Sequence, residues 1–211
     1  MRRNLNRLLR PTSIAIIGGG AWCRSVLSQL TKSGFSGDIW PVHPKGGKIN
    51  GISVYKSLLD LPRGPDASFI GINRNATIDA VQTLRDLGAG GAVCFASGFA
   101  EVADGAGLDE QLLAAAGNMP ILGPNCYGFI NNCDGALLWP DQHGCIPVDS
   151  GVAILTQSSN IAINLTMQSR ALPISYVITC GNQAQTTQAE IAISLLDDPR
   201  VTAIGLHIEG F

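Results

Sequence analysis

Ser13-Ile14-Ala15-Ile16-Ile17-Gly18-Gly19-Gly20 is the stretch that decides the fold. A short, unbroken apolar run closed by glycines reads as a strand buried on both faces, the habit of a parallel sheet. A helical pattern follows over 22–32, with Val26, Leu27 and Leu30 on one face. The same rhythm continues outward. Strands are expected at 38–42, 67–72, 91–95 and 120–122, and helices at 76–87 and 108–116. Strands alternating with helices imply an α/β fold, a parallel sheet covered by helices.

Over 123–150 the chain turns rich in Gly, Pro, Asn and Asp, so loops are expected there with one short strand at 136–139. The strand–helix rhythm then restarts, with strands at 151–155, 174–179 and 201–208 and helices at 160–169 and 187–196. Two domains are therefore expected, 1–145 and 146–211. Three strands are too few for an independent α/β layer, so the second domain is expected to be incomplete or to need a partner.

Hydrophobic residues make up 45% of the 211 and charged residues 14%, which suits a substantial core. A net charge of −2 supplies no general field for nucleic acid or an anionic membrane. No apolar run of membrane-spanning length occurs, and the basic start at Arg2 and Arg3 leads into no signal-peptide stretch. A soluble, cytoplasmic protein is the expectation. The six cysteines (23, 94, 126, 133, 145 and 180) form no Cys-x-x-Cys pair and no zinc spacing with histidine, so no metal site is expected.

Glycines at 18, 19 and 20 let backbone approach a phosphate, and the next helix offers free N–H groups and the positive end of its dipole. A plain tight turn is the other reading. A nicotinamide-dinucleotide fingerprint is disfavoured, because its third glycine would fall on Cys23. The ribose-binding acid belongs at the end of the second strand, which instead reads Pro41-Val42-His43-Pro44-Lys45. A lysine there suggests a nucleotide with an extra phosphate, either NADP or coenzyme A.

At this point the residues carry a resemblance. The stretch from Ile39 to Lys45 (IWPVHPK) resembles the "(I)YPVNPK" segment of ADP-forming acetyl-CoA synthetases and related large protein acetyltransferases. Succinyl-CoA synthetase α-subunits are more distant kin. Ser97-Gly98-Phe99-Ala100-Glu101 resembles their "SGFAE" loop and Gly123-Pro124-Asn125-Cys126-Tyr127-Gly128 their "GPNCxG" loop. Gln157-Ser158, Gly181-Asn182 and Ile208-Glu209-Gly210 fall where the family has "SQSG", "LGN" and "LEG". The tags run in one order from Leu8 to Phe211.

The resemblance implies a Rossmann-like CoA-binding domain followed by a flavodoxin-like ligase domain. It implies an acid–thiol ligase that makes acyl-CoA from a small carboxylic acid, CoA and ATP through acyl phosphate and phosphohistidine. ATP and Mg would be bound outside this chain by an ATP-grasp domain or subunit, in a homo-oligomeric enzyme. Gly18, Gly19, Gly20, Arg24 and Ser25 would then face the CoA pyrophosphate, with His43, Pro44 and Lys45 at its adenosine and ribose phosphate. Ser97, Gly98 and Phe99 would follow the pantetheine arm, and Pro124, Asn125 and Cys126 would lie near the thiol. Glu209 would orient the phosphate-carrying histidine, which the family places after the third strand of the second domain, so this chain alone is not expected to make acyl-CoA.

Three positions depart from the family pattern. The glycine loop is shorter, which would shift phosphate binding to Arg24 and Ser25; Ser159 stands in place of a glycine. Asn73-Arg74 replaces small apolar residues, as a phosphate clamp or as a solvated loop charge. A CoA-sensing module without catalysis is the alternative, and an NADP-dependent oxidoreductase a third. Among the histidines, His143 reads as structural or exposed and His207 as a core residue.

Overall fold

The computed structural model describes residues 3–105 and 107–210. A one-turn helix α1 (Asn6–Leu9) precedes β1 (Ser13–Ile17), which is buried along its whole length. Its side chains alternate between two cores, Ile14 and Ile16 facing one and Ala15 and Ile17 the other, as the pleat dictates. Helix α2 (Ala21–Lys32) buries Cys23, Val26, Leu27 and Leu30, one stripe at helical spacing. Then come β2 (Asp38–Val42) and a small hairpin of β3 (Lys48–Ile49) and β4 (Ile52–Ser53). β5 (Ala67–Ile70), α3 (Arg74–Asp86), β6 (Ala92–Cys94), α4 (Leu108–Ala116) and β7 (Ile121–Leu122) complete the first sheet and its helices.

The first sheet is wholly parallel, with strand order β2-β1-β5-β6-β7. Helices α3 and α4 cover one face, where Val81, Leu84, Leu112 and Ala116 pack on Ala15, Ile70, Ala92 and Ile121. Helices α1 and α2 lie against the other core, which the first sheet shares with the second.

The chain enters that second sheet earlier than expected. β8 (Phe129–Asn131) and β9 (Ala136–Leu138) form a hairpin that pairs not with the first sheet but with β11 (Ile174–Thr179). With β10 (Gly151–Thr156), α5 (Ser159–Thr166), α6 (Gln188–Leu195) and β12 (Val201–His207), the order is β12-β10-β11-β8-β9. The second sheet therefore has five strands rather than three, and the chain passes from one sheet to the other between Leu122 and Phe129. The reason is burial. Phe129, Ile130, Leu137, Leu138 and Trp139 are all buried between the sheets, and β9 packs on α2. By contrast β12, at the other edge, is half to fully exposed along its length.

Two polar devices hold the layers. Gln185 accepts from Ile121 N–H at 3.0 Å and donates to the carbonyls of Gly117 and Met119 at 2.9 and 3.1 Å, supplying the edge strand β7 with partners it lacks. Arg200 forks onto Asp134 at 2.7 and 3.0 Å and onto Asp198 at 2.9 and 3.0 Å, while the Tyr176 hydroxyl donates to Asp198 at 2.8 Å. The fork ties the β8–β9 turn to the entry of β12. Gln185→Leu leaves the buried Ile121 N–H and Met119 carbonyl short of a partner, along with the more exposed Gly117 carbonyl, and costs about 1–3 kcal/mol for each buried group left dry. Urea unfolding of variant and parent measures it.

Asp66 anchors the start of the first sheet, accepting from the Thr12 N–H and hydroxyl at 2.9 and 2.7 Å and from Arg7 Nε at 2.7 Å. Burial opposes the charge, but the hydrogen bonds from Thr12 and Arg7 outweigh it and hold this carboxyl down to about 2, from 3.8. A depressed carboxyl stabilises the fold above its unfolded value, and that contribution is lost as pH falls through the folded one. Stability therefore declines from pH 3.8 toward about 2. Asp66→Asn flattens this decline in urea titrations at stepped pH without abolishing it, since Asp134 and Asp198 are also held down by Arg200.

Candidate functional site

Because the first sheet is parallel, the loops after β1, β2, β5, β6 and β7 all emerge on one edge. Its order reverses between β1 and β5, and a crevice opens outside the carboxyl ends at such a reversal. Gly18 and Gly71 stand on either side of it. Gly18 has φ +125°, and a Cβ there would lie 2.7 Å from the Gly71 carbonyl oxygen and 2.9 Å from Cys23 Sγ. Neither distance is tolerable, so position 18 accepts only glycine. The Cys23 thiol sits beneath the loop, donating to the Ile17 carbonyl at 3.4 Å, and burial pushes it up to about 11. It plugs the floor of the crevice.

The residues expected at the CoA site fall into three groups. Gly19, Gly20, Arg24 and Ser25 form the first turn of the loop and of α2. Gly20 has open space where a side chain would be, whereas a Cβ on Gly19 would strike the His43 ring at 2.7 Å. Arg24 folds back to donate to the Gly19 carbonyl at 2.6 Å. At the end of β2, His43 Nδ1 accepts from the Lys45 N–H at 3.2 Å, and Pro44 and Lys45 are exposed. The Lys45 ammonium has no ion-pair partner among the described residues.

After β5, the Asn73 side chain caps α3 by accepting from Ala76 N–H at 3.0 Å, so this position serves the helix. Arg74 Nη1 donates to the Gly98 carbonyl at 2.6 Å and braces the next loop. Within that loop Ser97 is exposed, but the Phe99 side chain is fully buried in the core against α3 and α4. Phe99 was expected along the pantetheine arm; its ring faces the other way, because the core takes the larger apolar surface.

The loop after β7 turns sharply, with Gly123 at φ +93° and Asn125 at φ +57°, around a cis Gly123–Pro124 bond. Pro124 is buried and Asn125 exposed. Cys126 is buried, and burial together with the neighbouring Cys94 and Cys180 pushes its thiol well above the ordinary value. It is a packing residue rather than a nucleophile.

Two side chains quoted in the sequence tags, but given no role there, join these loops. The Glu101 carboxylate accepts from Gly98 N–H at 2.5 Å, from Phe99 N–H at 3.1 Å and from Asn182 Nδ2 at 2.5 Å. Burial raises its carboxyl, and these hydrogen bonds outweigh that and lower it. Asn182, after β11, accepts in turn from Asn125 Nδ2 at 3.3 Å. The chain Gly98–Glu101–Asn182–Asn125 thus spans loops of both sheets. An acid shortly after a glycine turn was the available signal, but its reach to residue 182 is tertiary.

Glu209 lies apart from these loops. It is exposed beyond β12, where its N–H donates to Gln157 Oε1 at 2.7 Å, and Gln157 also holds Gly210. His207 is half-buried against the Thr156 hydroxyl at 3.1 Å, and partial burial, with Lys32 nearby, lowers the pKa of His143.

Residues 12–132 match the CoA binding domain model. The chain belongs to that family. Residues 149–211 match the succinyl-CoA ligase like flavodoxin domain. A trans-feruloyl-CoA synthase from an unknown prokaryotic organism is 33% identical over 98% of this chain and 31% of its own length. The ADP-forming acetate–CoA ligase of Methanocaldococcus jannaschii is 30% identical over 95% of this chain and 29% of its own length. The solved apo form of a dinucleotide-forming acetyl-coenzyme A synthetase from Candidatus Korarchaeum cryptofilum superposes at TM-score 0.87 and 26% identity, over 98% of this chain and 46% of that one. This chain therefore spans between about three-tenths and a half of the length of these relatives. Its parallel sheet with flanking helices, followed by a second α/β unit, is the architecture they share.

Gly18→Ala forces a left-handed-region side chain against backbone and destabilises the fold by about 1–3 kcal/mol, read in urea unfolding. An alanine variant as stable as the parent would show that the loop can open away from Gly71.

Proposed function

We propose that this chain is the CoA-binding part of an ADP-forming acid–thiol ligase, working with an ATP-grasp domain or subunit outside these 211 residues. The observation that carries the reading is the glycine loop at the reversal of strand order, joined to an exposed Lys45 at the end of the neighbouring strand. CoA lies across the crevice, with its pyrophosphate over 18–20 and the first turn of α2, and its 3′-phosphate at Lys45. Backbone N–H groups at a helix start and an unpaired ammonium favour this charge distribution. His43 and Pro44 flank the adenosine. Ser97 and the Gly98 backbone, held by Arg74 and Glu101, border the pantetheine arm on its way to Asn125.

The second α/β unit supplies the reacting end. Ser159, at the first turn of α5, lines the same cleft as Asn125. Glu209, exposed beside the Gln157 turn, accepts from and orients a phosphohistidine contributed from outside these residues. The acid is activated as an acyl phosphate, with ATP and Mg held by the ATP-grasp part, and the CoA thiolate displaces phosphate to give the thioester. A cytoplasmic location fits these substrates, and among the described residues no helix is long and apolar enough to cross a membrane.

Calorimetry with CoA, dephospho-CoA and NAD tests the reading. CoA binds best and NAD does not bind; tight NAD binding without CoA binding would overturn it. Lys45→Ala weakens CoA by about 1.5–3 kcal/mol, the worth of a charge-assisted hydrogen bond, and barely alters dephospho-CoA. Equal losses for the two ligands would place the 3′-phosphate elsewhere.

A further inference from the structure

The cleft of about 600 Å³ beside the CoA crevice is walled by rings. Trp22, Phe95 and Tyr127 line it, with centroids 5.4 Å apart for Trp22–Phe95, 6.1 Å for Trp22–Tyr127 and 5.7 Å for Phe95–Tyr127. A second row stiffens the wall from behind. Phe69 packs on Phe95 at 5.5 Å, and Trp139 meets Tyr127 edge-on at 5.6 Å; both are fully buried. The front row is not sealed, for Trp22 is 44% exposed although it follows directly on the glycine loop. A large ring left open to water inside a concave site is a surface that a ligand covers. Polar groups border it: Asn125, Ser159 and the Ser97–Gly98 turn.

We infer that this wall receives the acyl group and that the acid is an aromatic carboxylic acid. The inference rests on the CoA reading above, which puts the 3′-phosphate at the end of β2. Phe95 and Tyr127 follow β6 and β7, three and four strand spacings from β2, about 14–19 Å away, and the Trp22 ring reaches both from the start of α2. Adenosine is therefore at the other end of the crevice, and what reaches the wall is the thiol end and the acyl group it takes up. A methyl group would leave most of the ring surface wet. A planar aromatic body covers it in tilted ring contacts, the arrangement these rings already adopt among themselves at interplanar angles of 40–48°. The carboxyl carbon then lies toward Asn125 and Ser159, where phosphate and thiol meet. Trp22 and Tyr127 are the specificity-determining residues in this arrangement. The relatives named for ferulate and for acetate do not decide the matter, since both match nearly the whole chain.

The test is calorimetry of the 211-residue chain with CoA, acetyl-CoA, hexanoyl-CoA and cinnamoyl-CoA. Cinnamoyl-CoA binds about tenfold or more tighter than acetyl-CoA, the scale of one good set of aromatic contacts. It also outbinds hexanoyl-CoA, which offers comparable apolar surface without a ring. Trp22→Ala collapses the cinnamoyl-to-acetyl ratio, and Trp22→Phe largely restores it. Equal affinity for acetyl-CoA and cinnamoyl-CoA overturns the inference while leaving the CoA reading intact. So does hexanoyl-CoA binding as tightly as cinnamoyl-CoA. If Trp22→Ala weakens CoA, acetyl-CoA and cinnamoyl-CoA alike, the rings hold the pantetheine arm and the inference falls. Failure of every CoA ligand to bind would instead overturn the CoA reading on which it rests.

Discussion

The backbone at Gly18 runs so close to the Gly71 carbonyl that no side chain fits between them, and the candidate site depends on that approach. Two adjacent parallel strands whose connections leave in opposite directions must part at their carboxyl ends. Without a Cβ at 18, the loop after β1 can turn immediately into α2 and leave its first N–H groups facing the gap. Cys23 fills the space below, so the loop rests on a buried thiol and not on water. The feature that counts against a dinucleotide fingerprint, cysteine in place of the third glycine, is thus also what supports the turn.

Much of the site's remaining order comes from the joining of the two sheets. Asn182 N–H donates to the Pro124 carbonyl at 2.9 Å and Ala184 N–H to that of Gly123 at 3.0 Å, while the Thr179 hydroxyl and the Gly128 backbone exchange bonds at 2.9 and 3.1 Å. Gly181 packs directly on Pro124 and Asn125. The loop after β7 is therefore fixed by residues more than 50 positions later, and the carboxyl ends of both sheets open on one cleft. Glu101 extends the connection to the Ser97–Gly98 turn. Since its carboxylate occupies N–H groups that would otherwise face the cleft, the turn's shape is set before any ligand arrives, a form of preorganisation.

The cysteines and histidines divide along similar lines. Cys23, Cys94, Cys126 and Cys180 are buried, and burial raises each thiol. Their place is in the packing under the loops, where a small polarizable side chain fits against backbone. His43 has a different place, because its ring forms part of the wall that faces Gly19.

The sequence by itself determined the alternation of strands and helices and their positions to within a few residues. Buried strands such as Ile14–Ile17 and amphipathic helices such as α2 and α3 carry their burial in their own periodicity. It also placed the glycine loop, Lys45 and the Gly-Pro-Asn turn, because glycine, proline and an out-of-place charge mark backbone demands locally. Of the hairpin at 129–138, the second strand was expected at 136–139, but the first strand and the pairing could not be assigned that way. Three-residue strands hold no period long enough to read, and their pairing with β11 is chosen by which large side chains can be buried between the sheets. The inward turn of the Phe99 ring and the capping of α3 by Asn73 were hidden for the same reason, being orientations that only neighbouring elements fix. The reach of Glu101 to Asn182 and the assembly of Trp22, Phe95 and Tyr127 into one wall were likewise decided by tertiary structure alone. Hydrogen bonds and ring contacts act over a few ångströms in space, and nothing in residues 22, 95 and 127 marks them as neighbours until the parallel sheet brings its strand ends together.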